Sequence, residues 1–161
     1  MRITEETPDL HDAIRAVLGG AFPTAVEADL VETLRRDGDM VIALAAREGD
    51  EVVGYAALSR MVAPMKALGL GPVAVAPGRQ RRGIGGGLIR HAIERARADG
   101  WEAIFVVGDP AYYRRFGFET EAAAGFVSPY AGVHFMVLPL GGALPVRFGR
   151  VDYAPAFADL A

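Results

Sequence analysis

Apolar residues recur along this chain at two spacings, and the spacing changes mark where one element gives way to the next. Leu10, Ala13, Ile14, Val17 and Leu18 share one helical face. Thr7 reads as their N-cap, with Pro8 at the first helical position, Asp9 in the first turn and Gly19-Gly20 as the stop. A second helix opens at Thr24, paired with Glu27 as a capping box, turns Val26, Leu30, Val31 and Leu34 inward, and stops at Gly38. A third spans Gly86 to Asp99, with Leu88, Ile89, Ala92, Ile93 and Ala96 inward and Arg90, Glu94 and Arg97 outward.

Between the helices lie β-rich runs. Ile3 to Glu5 is short; Met40 to Arg47 and Glu51 to Arg60 are joined by Glu48-Gly49-Asp50, a hairpin signal. Gly69 to Ala76 follows, with Pro72 placed awkwardly for a central strand because proline cannot donate to the ladder. Glu102 to Val107 is nearly continuous apolar sequence, as a buried sheet centre requires. Asp109 caps a short helix with Pro110 at its first position, and Gly117 ends it. Ala122-Ala123-Ala124-Gly125 reads as a mobile loop, and Val133 to Leu138 and Val146 to Tyr153 as the last strands. The order of elements predicts a mixed α/β sheet.

Length and composition narrow this picture. The 161 residues suit one domain, 1–161, able to bury roughly 70% of its unfolded surface. Hydrophobic residues make up 52% of the chain, yet no apolar run approaches the ~18 needed to span a membrane. The charged start Met1-Arg2-Ile3-Thr4-Glu5-Glu6 has no signal-peptide core, so a cytoplasmic location is expected. A net charge of −3 argues against general nucleic-acid or membrane-surface binding. The absence of cysteine removes disulfides, cysteine–zinc sites and a cysteinyl acyl-enzyme together. Ser59 and Ser128 lie in no Gly-x-Ser-x-Gly elbow. His11, His91 and His134 have no metal-like spacing, so no metal is expected.

The segment richest in chemistry is Gln80-Arg81-Arg82-Gly83-Ile84-Gly85-Gly86. It follows the strand-like Leu70-Gly71-Pro72-Val73-Ala74-Val75 and feeds the third helix. A glycine-rich turn between strand and helix presents free backbone N–H groups at the positive end of the helix dipole, a place for phosphate or pyrophosphate. Arg79, Arg81 and Arg82 add local positive charge to an acidic chain. Two familiar phosphate loops do not fit. Gly78 and Gly83 have Walker A spacing, but Ile84-Gly85 stands where that loop needs Lys and Ser/Thr. The run Gly83-Ile84-Gly85-Gly86-Gly87-Leu88 begins like a dinucleotide fingerprint and ends on Leu88 instead of glycine.

The pattern that fits is Gln/Arg-x-x-Gly-x-Gly/Ala, matched by Gln80, Gly83 and Gly85. With Val75-Ala76-Pro77 upstream and Tyr112-Tyr113-Arg114-Arg115-Phe116-Gly117-Phe118 downstream, the chain resembles the GCN5-related N-acetyltransferases (GNAT). Gly108-Asp109-Pro110-Ala111-Tyr112-Tyr113 and the tail Gly149-Arg150-Val151-Asp152-Tyr153-Ala154-Pro155-Ala156-Phe157 are similar to its YhbS-like subgroup. The resemblance implies a GNAT-type α/β fold: a mixed, mostly antiparallel central sheet flanked by helices, with splayed fourth and fifth strands. It implies acetyl-CoA as co-substrate, its pyrophosphate held by Gln80, Arg81, Arg82, Gly83, Ile84, Gly85 and Gly86. The main chain at Val73 and Val75 would pair with the pantetheine amides, while their side chains read as core. Tyr113 becomes the candidate acid for the departing thiolate, and Tyr112 a weaker one.

The base is left open. Many family members use a glutamate on the fourth strand, but Lys66 to Ala76 contains no carboxylate. The capping box accounts for Glu27, and a structural role for His134. The implied activity is direct acetyl transfer in a ternary complex to a primary amine on a small molecule or peptide; dimers are common in the family. Two other classes stay in view. One is a non-catalytic CoA-binding sensor module, suggested by the missing glutamate; the other is a nucleotide-binding domain using the same loop.

Overall fold

Strand β1 (Arg2–Glu5) pairs antiparallel with β2 (Met40–Glu48), from Arg2 opposite Arg47 to Glu5 opposite Leu44. The chain then turns back into β3 (Glu51–Arg60) through Gly49, whose φ of 60° is a left-handed value that glycine adopts freely. Val52 through Ser59 of β3 are buried without interruption, so both faces of this strand are covered. The computed structural model describes residues 1–160, in two units. One comprises Met1–Leu58 with Gly71–Ala92; the other comprises Ser59–Leu70 with the chain from Ile93 onward.

In the first unit, helices α1 (His11–Ala21) and α2 (Val26–Asp37) share a core of Ile14, Leu18, Val31, Ala45, Val52, Tyr55 and Ala74. Helix α3 (Ile84–Ala98) starts two residues earlier than the sequence pattern suggested. Its first residue, Ile84, is buried, and a Cβ on Gly54 of β3 would sit 2.9 Å from the side chains of Ile84 and Leu88. Beneath the helices, Tyr55 Oη and Arg35 Nε each donate to Glu6 Oε1 at 3.0 Å.

Two helix starts differ from expectation. Thr7 stands at the N-cap with Pro8 at the first position and Asp9 in the first turn, as expected, but that turn, Pro8–Leu10, is 3-10 and runs into α1, and the Thr7 hydroxyl donates to Asp9 instead of capping a backbone N–H. Gly19 and Gly20 lie inside α1, which runs on to Ala21 because Ala21 and Phe22 pack against the core. Helix α2 begins at Val26 with Ala25 at its cap, so Thr24 and Glu27 form no capping box, and Val26 is 41% exposed. Gly38 ends α2 as anticipated, in a left-handed conformation with φ of 76°.

In the second unit, the first part of β4 (Ala67–Val75) pairs parallel with β5 (Ala103–Val107), from Ala67 opposite Ala103 to Leu70 opposite Val106. The register stops just before Gly71-Pro72, where proline has no N–H to offer. That is the break expected of splayed fourth and fifth strands. Two short helices, α4 (Pro110–Tyr113) and α5 (Thr120–Ala123), and the two-residue β6 (Phe126–Val127) follow. Strand β7 (Phe135–Pro139) then returns antiparallel to β5. Phe105 stacks on Phe135 and meets Phe126 edge-on, both at 5.3 Å.

The segment 122–125, expected to be a mobile loop, is tied down. Ala123 is buried at the end of α5, and Gly125 leaves room for the Arg147 carbonyl. The expected last strand shrinks to β8 (Gly149–Arg150), parallel to β6, plus a bridge between Asp152 and Val62. The fold class is therefore mixed α/β: a mostly antiparallel sheet flanked by helices, with β4 and β5 its parallel pair.

Candidate active site

The residues singled out by sequence divide between the units: Val73, Val75 and Gln80–Gly86 lie in the first, Tyr113 in the second. Strand β4 is pinned at its end by Ala76 N–H donating to Val53 O at 2.8 Å. The turn Pro77–Arg79 follows, and Gln80 Nε2 reaches back to the Val75 carbonyl at 3.3 Å. The Gln80 side chain thus braces the loop, leaving its main chain as the part available to a ligand.

Beyond Gln80 the backbone takes an uncommon path. Arg81 has φ of 66° and Gly83 φ of 81°. A left-handed arginine costs on the order of 1 kcal/mol, a penalty that persists where surrounding structure or function requires it. Left-handed residues alternating with ordinary ones turn successive N–H groups into a concave, anion-binding nest. The first intrahelical bond found here is Gly87 N–H to Gly83 O at 3.0 Å. The N–H groups of Ile84, Gly85 and Gly86 therefore precede the helical ladder, where the dipole is positive.

Of the three arginines, only two remain for an anion. Arg79 is committed to Glu48 at 3.1 Å and Glu51 at 3.0 Å, clamping the turn to the β2–β3 hairpin. Arg81 and Arg82 are exposed and have no ion-pair partner among the described residues. Ile84 contributes its N–H alone, since its side chain is core. Val73 and Val75 depart from the reading of their side chains as core: both are half-buried, and the alternate residues Pro72 and Ala74 are the buried ones.

The neighbourhood of Tyr113 rests on packing. Asp109 Oδ1 accepts from Ala111 N–H at 2.9 Å and starts α4, as the sequence suggested. The Tyr113 ring lies over Gly108, where any Cβ would overlap it, and meets Tyr112 edge-on at 5.1 Å and Phe118 at 5.7 Å. Gly117, with φ of 100°, turns the chain so that Phe118 is buried. Burial, with a smaller contribution from the Tyr112 phenol, pushes the Tyr113 pKa up to about 12. The hydroxyl is therefore a firmly protonated donor. Tyr112 instead carries the Arg115 guanidinium over its ring at 4.5 Å.

The residues weighed as bases sort differently. His134 is exposed, its Nδ1 lies 3.1 Å from Gly108 O, and its own carbonyl accepts from Gly108 N–H at 2.9 Å; it braces the backbone that supports Tyr113. Glu27 has no capping role, and its Oε1 is buried without a hydrogen-bond partner. Among the described residues, no group of three or more His, Asp or Glu side chains is placed to hold a metal. No helix among them is long and apolar enough to cross a membrane.

Tyr153 was not singled out from the sequence as a site residue. Its hydroxyl is buried and unpartnered, and its ring occupies the space above Gly69 of β4, where a Cβ would clash with it. Glycine inside a strand often marks close approach of another group, so Gly69 was the available signal.

Comparison with known proteins places this geometry in a family. The acetyltransferase (GNAT) family model matches residues 7–118. The chain is 39% identical over 133 residues to YjhQ of Escherichia coli K12, an uncharacterized N-acetyltransferase, covering 76% of this chain and 73% of that protein. Against YhbS of the same strain, also an uncharacterized N-acetyltransferase, identity is 33% over 126 residues, covering 76% and 75%. The crystal structure of Escherichia coli YhbS with CoA superposes with a TM-score of 0.90 at 31% identity, over 97% of this chain and 91% of that one. A GNAT acetyltransferase of Brucella melitensis with acetyl-CoA gives 0.83 at 34% identity, over 97% of both chains. The chain belongs to the acetyltransferase (GNAT) family, and its enzyme class is that of the N-acyltransferases.

Proposed function

We propose that this protein moves an acetyl group from acetyl-CoA to a primary amine by direct transfer in a ternary complex. The observation that carries the reading is the loop ahead of α3: left-handed Arg81 and Gly83, three N–H groups outside the helical ladder, and two arginines with no ion-pair partner among the described residues. The CoA and acetyl-CoA complexes of the Escherichia coli and Brucella melitensis proteins support acetyl-CoA as the donor. The main chain of Gln80–Gly86 cradles the pyrophosphate, Arg81 and Arg82 add charge, and main-chain groups at Val73 and Val75 hold the pantetheine amides.

In the reaction, the neutral amine nitrogen attacks the thioester carbonyl; a C–N bond forms and the C–S bond breaks. The sulfur gains one proton and the nitrogen loses one, so the exchange balances without an external base if the proton is relayed. Tyr113 supplies the donor to sulfur. With a pKa of about 12, its anion would be a strong base, so the phenol shares its proton with the sulfur and regains it from the acetylated nitrogen. No cysteine is available for an acyl-enzyme. The acceptor is a small-molecule or peptide amine, and the enzyme acts in the cytoplasm. That residues 1–161 work as one acetyltransferase domain is supported by the family match, which draws on both units.

A second reading has its own observation: Lys66–Ala76 holds no carboxylate, which would suit a CoA-binding module without turnover. Calorimetric titration of acetyl-CoA into the wild type and an Arg82→Ala, Gly83→Asp variant, followed by an amine screen read by thiol release, separates the cases. Micromolar binding lost in the variant, with thiol release on amine addition, is the expected result. Binding without release for any amine would favour the non-catalytic module, and no binding by folded wild type would remove both readings.

A further inference from the structure

In the second unit, β6, β8 and the chain at Val62 form a small ladder with one side in the core and the other in solvent. Phe126 stands opposite Gly149 and Val127 opposite Arg150, and Asp152 bridges Val62. Phe126, Val151 and Met61 are buried, so their neighbours along the chain face outward. A solvated sheet face is ordinarily polar, yet Val127 is 60% and Val62 72% exposed. Phe148, just ahead of β8, is 75% exposed. Between the valines, Arg150 donates to Asp152 through two hydrogen bonds of 2.8 and 3.0 Å, so this face carries no net charge.

Beside the ladder opens a cavity of about 530 Å³, lined by Ala122, Pro139 and Leu144 and by the charged Glu119, Glu121 and Arg147. Gly125 belongs to the same lining, and a Cβ there would sit 2.3 Å from the Arg147 carbonyl and 3.9 Å from Phe148 Cα. Phe148 therefore stands at the cavity rim. An apolar cavity of ~150 Å³ already accepts a benzene ring, so this one has room for a benzyl side chain. Its charges are uncommitted. The side chains of Glu119, Glu121 and Arg147 have no hydrogen-bond or ion-pair partner among the described residues. Acids and base thus face one cavity without reaching each other.

We propose that this edge of the second unit is a two-fold interface between copies of this chain. Phe148 of each copy fills the cavity of the other, and Arg147 of each pairs with Glu119 or Glu121 across the contact. A two-fold contact must be complementary to itself, and this patch carries both halves of each interaction: ring and cavity, base and acids. Contiguous exposed apolar surface with a polar border is the usual mark of such a contact, and an aromatic anchor in a partner's pocket its usual energetic centre. The net charge of −3 sets copies against each other at long range. The neutral face and the crossed Arg–Glu pairs are where that repulsion is offset. The proposal goes beyond the acetyl-transfer reading and uses no residue assigned a part in it.

Sedimentation velocity of the full chain, from micromolar to millimolar concentration, should show a monomer–dimer equilibrium. Phe148→Ala removes the anchor and should raise the dimer dissociation constant at least ~tenfold, with Tm unchanged because the exposed ring supports nothing in the monomer. Charge exchange tests the crossed pairs. Arg147→Glu alone, and Glu119→Arg combined with Glu121→Arg, should each be monomeric, because like charges then meet across the axis. Mixed in equal amounts, these two variants should associate, since every crossed pair is restored in the mixed dimer. A wild type that stays monomeric throughout would overturn the proposal, as would a dimer indifferent to Phe148→Ala. A mixture that stays monomeric while the wild type dimerises would place the interface elsewhere and overturn it equally. Should either charge variant melt early, the Phe148→Ala comparison decides alone.

Discussion

Around Gln80–Gly86 the candidate groups are main-chain N–H donors ahead of the α3 ladder, beside two left-handed residues. Around Tyr113 they are phenols, half-buried or buried, aimed by rings that lean on glycines. The first arrangement suits an anion whose charge must be met by many small dipoles at once. The second suits a proton that must stay on one oxygen until a particular bond breaks. Backbone sites tolerate side-chain change but not φ change; packed side-chain sites behave the other way round.

The largest test of this contrast is Tyr113→Phe. Positioned proton donors contribute about 10²–10⁴-fold, so kcat should fall by at least ~100-fold while acetyl-CoA affinity stays within about twofold. The pH dependence sharpens it. A folded-state pKa of about 12, above the ordinary value near 10, means the folded chain holds this proton more tightly than the unfolded chain does. Its contribution to stability is complete below pH ~10 and is lost as pH rises through the folded value. Wild-type kcat should therefore show no downward inflection from Tyr113 below pH ~11. An alkaline limb near pH 9 that vanishes in Tyr113→Phe would contradict the assignment.

A smaller effect is expected one step away. In Gly108→Ala the new methyl overlaps the Tyr113 ring, so the ring must shift. Overpacking of this kind costs about 1–3 kcal/mol of stability, and a displaced donor should lower kcat about tenfold. Chemical denaturation and steady-state kinetics on the one variant would read both. A variant of normal stability and normal kcat would mean that the ring has freedom the packing does not suggest.

The same contrast explains what sequence could foretell. The conformation of the loop was legible because it is written in the residues that permit it: a glycine at 83 in the left-handed region, a strand before and a helix after. Gly38, Gly49 and Asp109 were legible for the same local reason, each supplying a conformation or cap within a few residues. Thr7 took the N-cap position expected of it, with its hydroxyl turned to Asp9 two residues on, whereas Thr24 misled: α2 begins at Val26 with Ala25 at its cap. The aromatic cluster of Tyr130, Tyr153 and Phe157 over Gly69 was hidden because it forms only after three separate segments pack together. No local rule writes such a meeting, although a glycine in the middle of an apolar strand is its trace.

The finest distinction lies within the loop itself, among arginines that look alike in sequence. Arg79 is held by Glu48 and Glu51, whereas Arg81 and Arg82 have no such partner among the described residues. Arg79→Ala should therefore leave acetyl-CoA affinity within about twofold, and exposed ion pairs of this kind carry only ~0.5 kcal/mol of stability each. Arg82→Ala should weaken acetyl-CoA several-fold, with a loss that shrinks as salt rises, because an exposed arginine meets its anion through screened charge. Titration of the two variants at low and high ionic strength makes the comparison direct. If Arg79→Ala proved the weaker binder, the clamp to the β2–β3 hairpin would be what shapes the left-handed turn at Arg81. The cradle would then depend on side-chain packing after all.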